Sequence, residues 1–412
     1  MLNATKQIGI AAINESGAEY PDRLRSGTAV FVNQGIQMIR LFKILSFVIC
    51  FSLQLGSPDL SAQENSRPLF NGTNFDGWVR TNTPAKTWTY QDGMVICSGR
   101  PIGEIRTAKM YQNFIMELEW RHMVPRGNAG VFVWADDITS RGVPFHRGIE
   151  VQVLENAYGN NRSHTTHGDI FPIHGATMTP INGHGGSRAF PTENRSKPSP
   201  EWNHYRIECR DGEISLAVNG KVVTRGKDCV PRKGYICLES EGGIVHYRNV
   251  RITELPETKI TDQQIAISDR GYMSIYNGLD LEGWKATADS LWKANDWTLK
   301  HDASPEQASR LETTDEMEST RFVIDVKLKD KQSRAVIAIG GLNIDLAKTS
   351  KGLEPTGRWN RIEAIADGEA VRVEINGQPA MQETTSLKGK ISLQASGPVD
   401  FSNVYIAPRE DE

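Results

Sequence analysis

The chain contains an internal repeat, and this repeat constrains its fold more than any other feature. Six landmarks of the first half return in the same order in the second half, which chance hardly gives. The sequence therefore predicts two tandem copies of one domain, over 66–256 and 272–408, joined by a polar linker at 257–271. Among the recurring pairs are Leu69–Trp78 with Ile275–Trp284, Trp202-Asn203 with Trp359-Asn360, Val218–Gly220 with Ile375–Gly377, and Tyr247–Val250 with Phe401–Val404.

Each copy is built from short runs of β-branched and aromatic residues that end at glycine-bearing turns. Tyr205–Cys209 and Ile214–Val218 are typical of these runs, because most of their residues alternate between apolar and polar. Asp211-Gly212 and Asn219-Gly220 are the dipeptides that two-residue hairpins favour. No long segment after the N-terminus has a helical period. The fold class predicted is all-β, with two antiparallel sandwiches side by side.

The N-terminus is expected to lie outside the folded protein. Residues 1–37 have no clear period, and we interpret them as a disordered gene-model extension. Residues 38–62, from Met38, combine two positive charges, a short apolar run and the small residue Ala62, as a secretory signal peptide does. The run is too short to span a bilayer, so no integral membrane segment is expected after cleavage. A buried helix is the alternative. The mature chain is predicted to be exported to the periplasm or the extracellular space.

Charge and cysteine usage narrow the class of partner. The 47 basic and 50 acidic residues leave a formal charge of −3, and no basic block is present, so nucleic acid is not an expected partner. A neutral or polar ligand fits better. Four cysteines follow the signal segment without zinc-type spacing, and they allow either disulfides in three connectivities or small buried hydrophobic residues. These cysteines are Cys97, Cys209, Cys229 and Cys237.

The two copies differ in one long segment. From Phe70 to Trp202 the spacing is 132 residues, whereas from Tyr276 to Trp359 it is 83. The additional residues lie mostly between 135 and 200, and long polar loops on a rigid scaffold commonly carry function. The first copy is therefore the candidate for chemistry, and the second is expected to be accessory. The segment holds five of the nine histidines, namely His146, His164, His167, His174 and His184.

The stretch Gly148–Asn156 is the strongest single candidate in this segment. With period two, Glu150 and Gln152 share the face away from the core, while Ile149, Val151 and Val153 enter it. A bulge after Gln152 would bring Glu155 to the same face. A carboxylate beside an amide suits a sugar site, and the second copy has Asn343 at the position of Glu150. A solvated polar face without function is the alternative.

The histidines allow two interpretations. His164, His167 and Asp169, together with His174, offer ligands for a divalent metal ion, although their spacing matches no strong metal motif. Hydrogen bonding to sugar hydroxyls, or acid–base chemistry, is the favoured interpretation. Trp134 faces either the core or a ligand.

Several motifs resemble those of the 3-keto-disaccharide hydrolase domain family. The resemblance is strong over residues 66–254 and weak over 272–408, where the second copy looks degenerate. It implies a concanavalin A-like jelly-roll sandwich and an exported enzyme that acts on oxidised glycosides. The Glu-x-Gln-x-x-Glu run is similar to the bulged Glu-x-Asp-x-x-Glu strand of laminarinase-type glycosidases, but Gln152 replaces its central acid. The motifs are Leu69–Trp78, Asn128–Phe132, Gly148–Glu155, Ser196–Asn203, Leu238–Gly242 and Tyr247–Ile252.

The family chemistry implies roles for these residues. A ketone at C3 acidifies the C2 hydrogen, so a base can remove it, the C1 substituent leaves, and water adds. Glu150, His167 or His174 would be the base, and Gln152, Lys197 or a bound cation would polarise the ketone. The remaining substrate-binding candidates are Asn128, Trp134, Glu155, His164, Asp169 and Glu239.

Two other functions stay open at this point. A conventional glycoside hydrolase would use Glu150 and Glu155 as its carboxylate pair, about 5–5.5 Å apart in a retaining enzyme. A non-catalytic carbohydrate-binding protein would use the same fold. The sequence identifies neither the natural glycan nor the oligomeric state.

Overall fold

The computed structural model describes residues 65–158, 167–349 and 351–408, and these residues form four antiparallel sheets. The predicted extension and signal segment lie outside the described residues. The prediction of an all-β protein with two jelly-roll sandwiches is confirmed by the sheet order. Among the described residues, no helix has the length and apolarity needed to cross a bilayer. Short 3₁₀ turns occupy Ala85–Thr87, Asp262–Gln264 and Asp289–Leu291.

The first sandwich contains strands β1 to β17. The larger of its sheets has the order β10-β15-β14-β13-β6-β17-β4-β3, with β1 on β17, and the smaller has the order β11-β12-β9-β8-β7-β16-β5-β2. The strands are β1 (Arg67–Pro68), β2 (Trp78–Thr81), β3 (Trp88–Gln91), β4 (Met94–Cys97), β5 (Gly103–Thr107), β6 (Phe114–His122), β7 (Asn128–Ala135), β8 (Gly148–Leu154), β9 (Ile170–Ile173), β10 (Thr177–Pro180), β11 (His184–Gly185), β12 (Arg188–Ala189), β13 (Asn203–Arg210), β14 (Glu213–Val218), β15 (Lys221–Val230), β16 (Tyr235–Ser240) and β17 (Val245–Glu254).

The second sandwich contains strands β18 to β31. One sheet has the order β20-β21-β31-β23-β26-β27-β28, with β18 on β31 and β29 on β23, and the other has the order β19-β22-β30-β24-β25. The strands are β18 (Met273–Ser274), β19 (Trp284–Ala286), β20 (Trp292–Asn295), β21 (Thr298–His301), β22 (Ala308–Thr313), β23 (Met317–Leu328), β24 (Arg334–Ile339), β25 (Leu342–Asp345), β26 (Asn360–Asp367), β27 (Ala370–Ile375), β28 (Gln378–Thr384), β29 (Lys388–Gly389), β30 (Ile391–Ser396) and β31 (Val399–Pro408).

Local sequence explains the hairpins of the larger sheet. Asp211 and Gly212 join β13 to β14, and Asn219 and Gly220 join β14 to β15. All four residues have positive φ, from 47° to 85°, as the tightest hairpin turns require. The hairpin prediction for these dipeptides is therefore confirmed.

Each sandwich has its own apolar core between its two sheets. In the first, the larger sheet contributes Trp120 and Tyr205, and the smaller contributes Val131 and Val151. A separate cluster of buried residues, from Tyr276 to Ile406, fills the second sandwich. The four cysteines of the first sandwich are buried and free, which agrees with their interpretation as small hydrophobic residues.

Candidate active site

The candidate site lies on the outer face of the smaller sheet of the first sandwich. Period-two alternation in β8 sends Ile149, Val151 and Val153 into the core, as predicted, and places Glu150 and Gln152 on the opposite face. That face is covered rather than solvated, because Glu150 is 6% exposed and Gln152 is 4% exposed. The solvated-face alternative is therefore wrong.

Two neighbouring strands bring further carboxyl groups to this face. In β16, Leu238 enters the core, so Glu239 points to the site, and its register partner in β5 is Glu104. Glu239 and Glu104 are 2% and 0% exposed. Glu150 therefore belongs to a buried cluster of acids rather than standing alone.

Gly130 of β7 provides the space between two of these acids. A Cβ on Gly130 would lie 2.9 Å from Glu150 Oε1 and 3.0 Å from Glu239 Oε2. Both oxygens thus approach the same point from different strands. Such an approach requires a residue without a side chain at this position.

Burial and mutual repulsion make these acids weak. Burial, followed by the negative charge of Glu241, raises the pKa of Glu150 and of Glu239 well above the usual carboxyl value. Burial and the charge of Glu104 raise the pKa of Glu241 to about 7. All three carboxyl groups therefore hold their protons more strongly than an ordinary glutamate, and Glu241 is the most exposed of them. A raised pKa favours an acid role for Glu150 over the role of base.

A chain of amides orients Glu241. The Gln152 side-chain amide donates to Asn128 Oδ1 at 2.9 Å and to the Ala129 carbonyl at 3.2 Å. The Asn128 amide in turn donates to the Glu241 carboxylate, which lowers the pKa of that group against the effect of burial. Gln152 and Asn128 thus fix the position of an acid that sequence reasoning did not select.

Arg188 is the cation of the site. Its guanidinium lies 3.3 Å from the centre of the Phe171 ring and donates to Asp169 Oδ2 at 3.1 Å. Phe171 is the register partner of Glu150 on β9. The positive charge of Arg188 lowers the pKa of Glu150, against the stronger effect of burial. Asp169 thus holds a cation within electrostatic reach of Glu150.

Glu104 also belongs to a second group of side chains, and this group could hold a metal ion. Glu104, His146 and Cys237 each place one candidate ligand atom within 4.8 Å of the others. Glu104 accepts hydrogen bonds from the His146 imidazole and, at 3.0 Å, from its backbone N–H. A carboxylate, an imidazole and a thiol form a donor set that suits zinc. This group differs from the metal set predicted around His167 and Asp169.

The predicted histidines lie at the edge of this site. His167 is buried, and burial lowers its pKa, while Asp169 and Glu155 act on it as nearby charges. His174 lies in the exposed turn after β9 and stacks on Phe145 with ring centres 6.4 Å apart. His164 lies outside the described residues.

Three further residues that were predicted to bind substrate do not lie among the clustered acids. The Glu155 carboxylate accepts backbone N–H groups of Arg126 and Ala157 at 2.8 Å and of Ser199 at 3.1 Å, so it ties loops together. Trp134 is fully buried in the core, where its indole N–H donates to the Gln112 carbonyl. Lys197 is exposed, and its backbone groups bond the Asn203 side chain.

The segment 136–147, called here the roof loop, joins β7 to β8 and carries His146. Phe145 of this loop contacts Phe132 of the site face edge-on, with ring centres 6.1 Å apart. The middle of the roof loop is bound by the second sandwich. The Gly142 N–H donates to Asp325, and Arg361 donates to the Thr139 carbonyl, both at 2.8 Å.

Sequence reasoning missed four residues of the site: Glu104, His146, Arg188 and Glu241. Signals existed for three of them, since Glu241 lies in the motif Leu238–Gly242, and His146 and Arg188 lie in the additional segment of the first copy. Glu104 lies in a five-residue strand that is buried on both faces, so it has no alternation to mark it.

Comparison with known proteins shows that the first sandwich matches a family model. Residues 65–253 match the model of the 3-keto-alpha-glucoside-1,2-lyase-like domain. The predicted resemblance to that family is confirmed over these residues. No curated protein sequence matches the chain.

Solved structures of related topology align with about half of the chain. A candidate glycosyl hydrolase from Parabacteroides distasonis is 22% identical, covers 48% of this chain and 98% of its own, and gives a TM-score of 0.37. A second candidate glycosyl hydrolase from the same organism is 25% identical, and the alignment covers 46% of this chain and 99% of the hydrolase, with a TM-score of 0.36. A carbohydrate-binding module from Bacillus subtilis is 14% identical, and the alignment covers 46% of this chain and 100% of the module, with a TM-score of 0.32.

Proposed function

We propose that the first sandwich cleaves 3-keto-glycosides by removing the C2 proton, eliminating the C1 substituent and adding water. The observation that carries this proposal is the buried carboxyl cluster, in which Glu150 and Glu239 converge at Gly130 and burial and mutual repulsion raise the pKa of each acid, that of Glu241 to about 7. Titratable neighbours whose pKa values are pushed apart divide naturally into acid and base. The match of residues 65–253 to the family model supports a substrate with a sugar ketone.

Glu241 is the base of this scheme. A carboxylate with a pKa of about 7 is ionised in half of the molecules at neutral pH and is a stronger base than an ordinary glutamate. It takes the C2 proton, and the electron pair of that bond forms the C2=C3 enolate. Gln152 acts through Asn128 to position it.

Glu150 and Arg188 stabilise the enolate oxygen. A neutral Glu150 donates a hydrogen bond to the C3 oxygen, and the nearby guanidinium offsets the negative charge that develops there. When the enolate collapses, C3=O and C1=C2 form and the C1–O bond breaks. Glu239, which is also neutral, gives its proton to the departing oxygen. Addition of water across C1=C2 then yields the free 3-keto sugar.

Kinetic isotope effects test this route. A 4-nitrophenyl 3-keto-glucoside deuterated at C2 should react several-fold more slowly than its protiated form, and unreacted substrate or the released sugar should carry solvent deuterium at C2 in D₂O. The ordinary 4-nitrophenyl glucoside should not react. Release from the ordinary glucoside without a C2 isotope effect would favour the conventional glycosidase, and binding without turnover of either substrate would favour a carbohydrate-binding protein.

Export completes the proposal. The charge and apolar pattern of residues 38–62 supports a location outside the cytoplasm. A fusion of residues 38–66 to a reporter should be secreted and trimmed near Ala62. Retention of the intact fusion in the cytoplasm would contradict it.

A further inference from the structure

The second sandwich has a cleft on the same face as the candidate site of the first. This cleft, called here the second cleft, has a volume of about 460 Å³ and lies on the outer face of the five-stranded sheet. The order β19-β22-β30-β24-β25 repeats the order β2-β5-β16-β7-β8 in the smaller sheet of the first sandwich. The two clefts therefore occupy equivalent places in the two copies.

Strand registers identify which residues correspond. Glu239 pairs with Glu104 in the first sandwich, and Gln394 lies opposite Arg310 in the second. Phe132 pairs with Glu150, and Ala338 pairs with Asn343. The acids Glu104, Glu150 and Glu239 are thus replaced by Arg310, Asn343 and Gln394. The second cleft therefore lacks the acids that the proposed chemistry requires.

The exchange leaves an open polar cleft rather than a filled face. Ala338 lines the cleft at the position that Phe132 occupies in the first sandwich. Because alanine has no ring to fill this space, the cleft stays open. Its charge is reversed, since Arg310, Lys388 and Lys390 outnumber the single acid Glu312 among the lining residues. Arg310 and Lys390 flank Glu312 at 3.9 Å and 3.8 Å, and each cation is about half exposed and can contact a ligand.

We propose that the second cleft binds an anionic saccharide and performs no chemistry on it. Amide groups of Gln394 and Asn343 bind sugar hydroxyls, and Arg310 and Lys390 bind a carboxylate or sulfate of the sugar. This site goes beyond the function proposed for the first sandwich.

Calorimetry on the full chain tests the proposal with three disaccharides of one shape: cellobiouronic acid, cellobiose 6-sulfate and cellobiose. At least one of the two anionic disaccharides should bind. The one that binds shows whether the cleft recognises a carboxylate or a sulfate of the sugar. Cellobiose should bind about tenfold more weakly or not at all, because it has no anionic group to accept charge-assisted hydrogen bonds from Arg310 and Lys390. Absence of binding by both anions, or equal binding of cellobiose, would overturn the proposal.

Matched variants locate the site. Arg310→Gln and Lys390→Gln should each weaken anion binding about tenfold. Arg372→Gln is the control, because Arg372 is similarly exposed and also pairs with an acid two residues further along its strand, yet lies outside the cleft. If Arg372→Gln weakens binding as much as Arg310→Gln does, the assignment is wrong. Turnover of a 3-keto-glycoside should be unchanged in all three variants, so this result is independent of the proposed catalytic function.

Discussion

The pKa of a single side chain, Glu241, sets the expected pH dependence of activity. A general base must be ionised, so turnover should rise with pH through about 7 and level off above it. Glu241→Gln should lose that rising limb, and turnover should fall by about 10²–10⁴-fold. Glu257→Gln, at an exposed ion pair with Lys233, is the control and should keep the wild-type profile. A Glu241→Gln profile that still rises through pH 7 would assign the base elsewhere.

Stability gives an independent measure of the same group. The folded-state pKa of Glu241 lies above its ordinary value of 4.5, so the folded state keeps a proton that the unfolded state releases. The free energy of unfolding should therefore fall as pH rises from about 4.5 to about 7, and this loss should be smaller in Glu241→Gln. Melting curves across that range measure the difference.

The two neutral acids are distinguishable by their substitutions. Gln can donate a hydrogen bond but cannot transfer a proton, so Glu239→Gln should strongly slow a 3-keto-disaccharide, by about 10²–10⁴-fold, and hardly slow a 4-nitrophenyl leaving group. Glu150→Gln should affect both substrates alike and mildly, since the amide still donates to the enolate oxygen. Initial rates with both substrates check this assignment. Equal loss on the two substrates in Glu239→Gln would refute its role as leaving-group acid.

At the scale of elements, the sequence predicts strands better than it predicts the site. Alternation in β8 correctly separates Glu150 and Gln152 from the core residues between them. It does not reveal that the opposite face is also covered, because the roof loop that covers it is irregular. Nor does it bring Glu104 together with Glu239 and Glu241, since Glu104 lies more than 130 residues before both of them. Such convergence depends on strand order, which local patterns do not encode.

The central strand β7 supplies the space that the acids need. In Gly130→Ala, the new Cβ would approach Glu150, Glu239 and the Phe132 ring at 2.9–3.1 Å. The carboxyl groups can shift by a few tenths of an ångström, so we expect a loss of stability of only about 1 kcal/mol. Their altered positions should reduce kcat/KM at least tenfold. Kinetics and melting temperature measured on the same preparation check both parts, and unchanged kcat/KM would contradict a substrate site at Gly130.

At the scale of the whole described molecule, the second sandwich holds the roof loop in place. Asp325 is fully buried and accepts two hydrogen bonds at 2.8 Å from Arg361, which also binds the loop at Thr139. Asn403 donates to the carbonyls of Ser140 and Val143, each at 3.0 Å. The loop then leads to His146, which is bonded to Glu104 in the site. These contacts lead us to expect that the second copy supports the site of the first.

Asn403→Gly tests this support. The change suits a backbone with φ of 51° and removes the amide, which leaves the two partly buried loop carbonyls, as well as Asp325 and the Asn82 amide, without this partner. We expect a loss of stability of about 1–3 kcal/mol, together with lower turnover and faster proteolysis in the roof loop. The matched control is Asn249→Gly, at the equivalent position of the first copy, where φ is also 51° and the amide binds Glu119 near the surface. It should leave turnover unchanged. If Asn403→Gly lowers the melting temperature but not turnover, the second sandwich stabilises the chain without positioning the site.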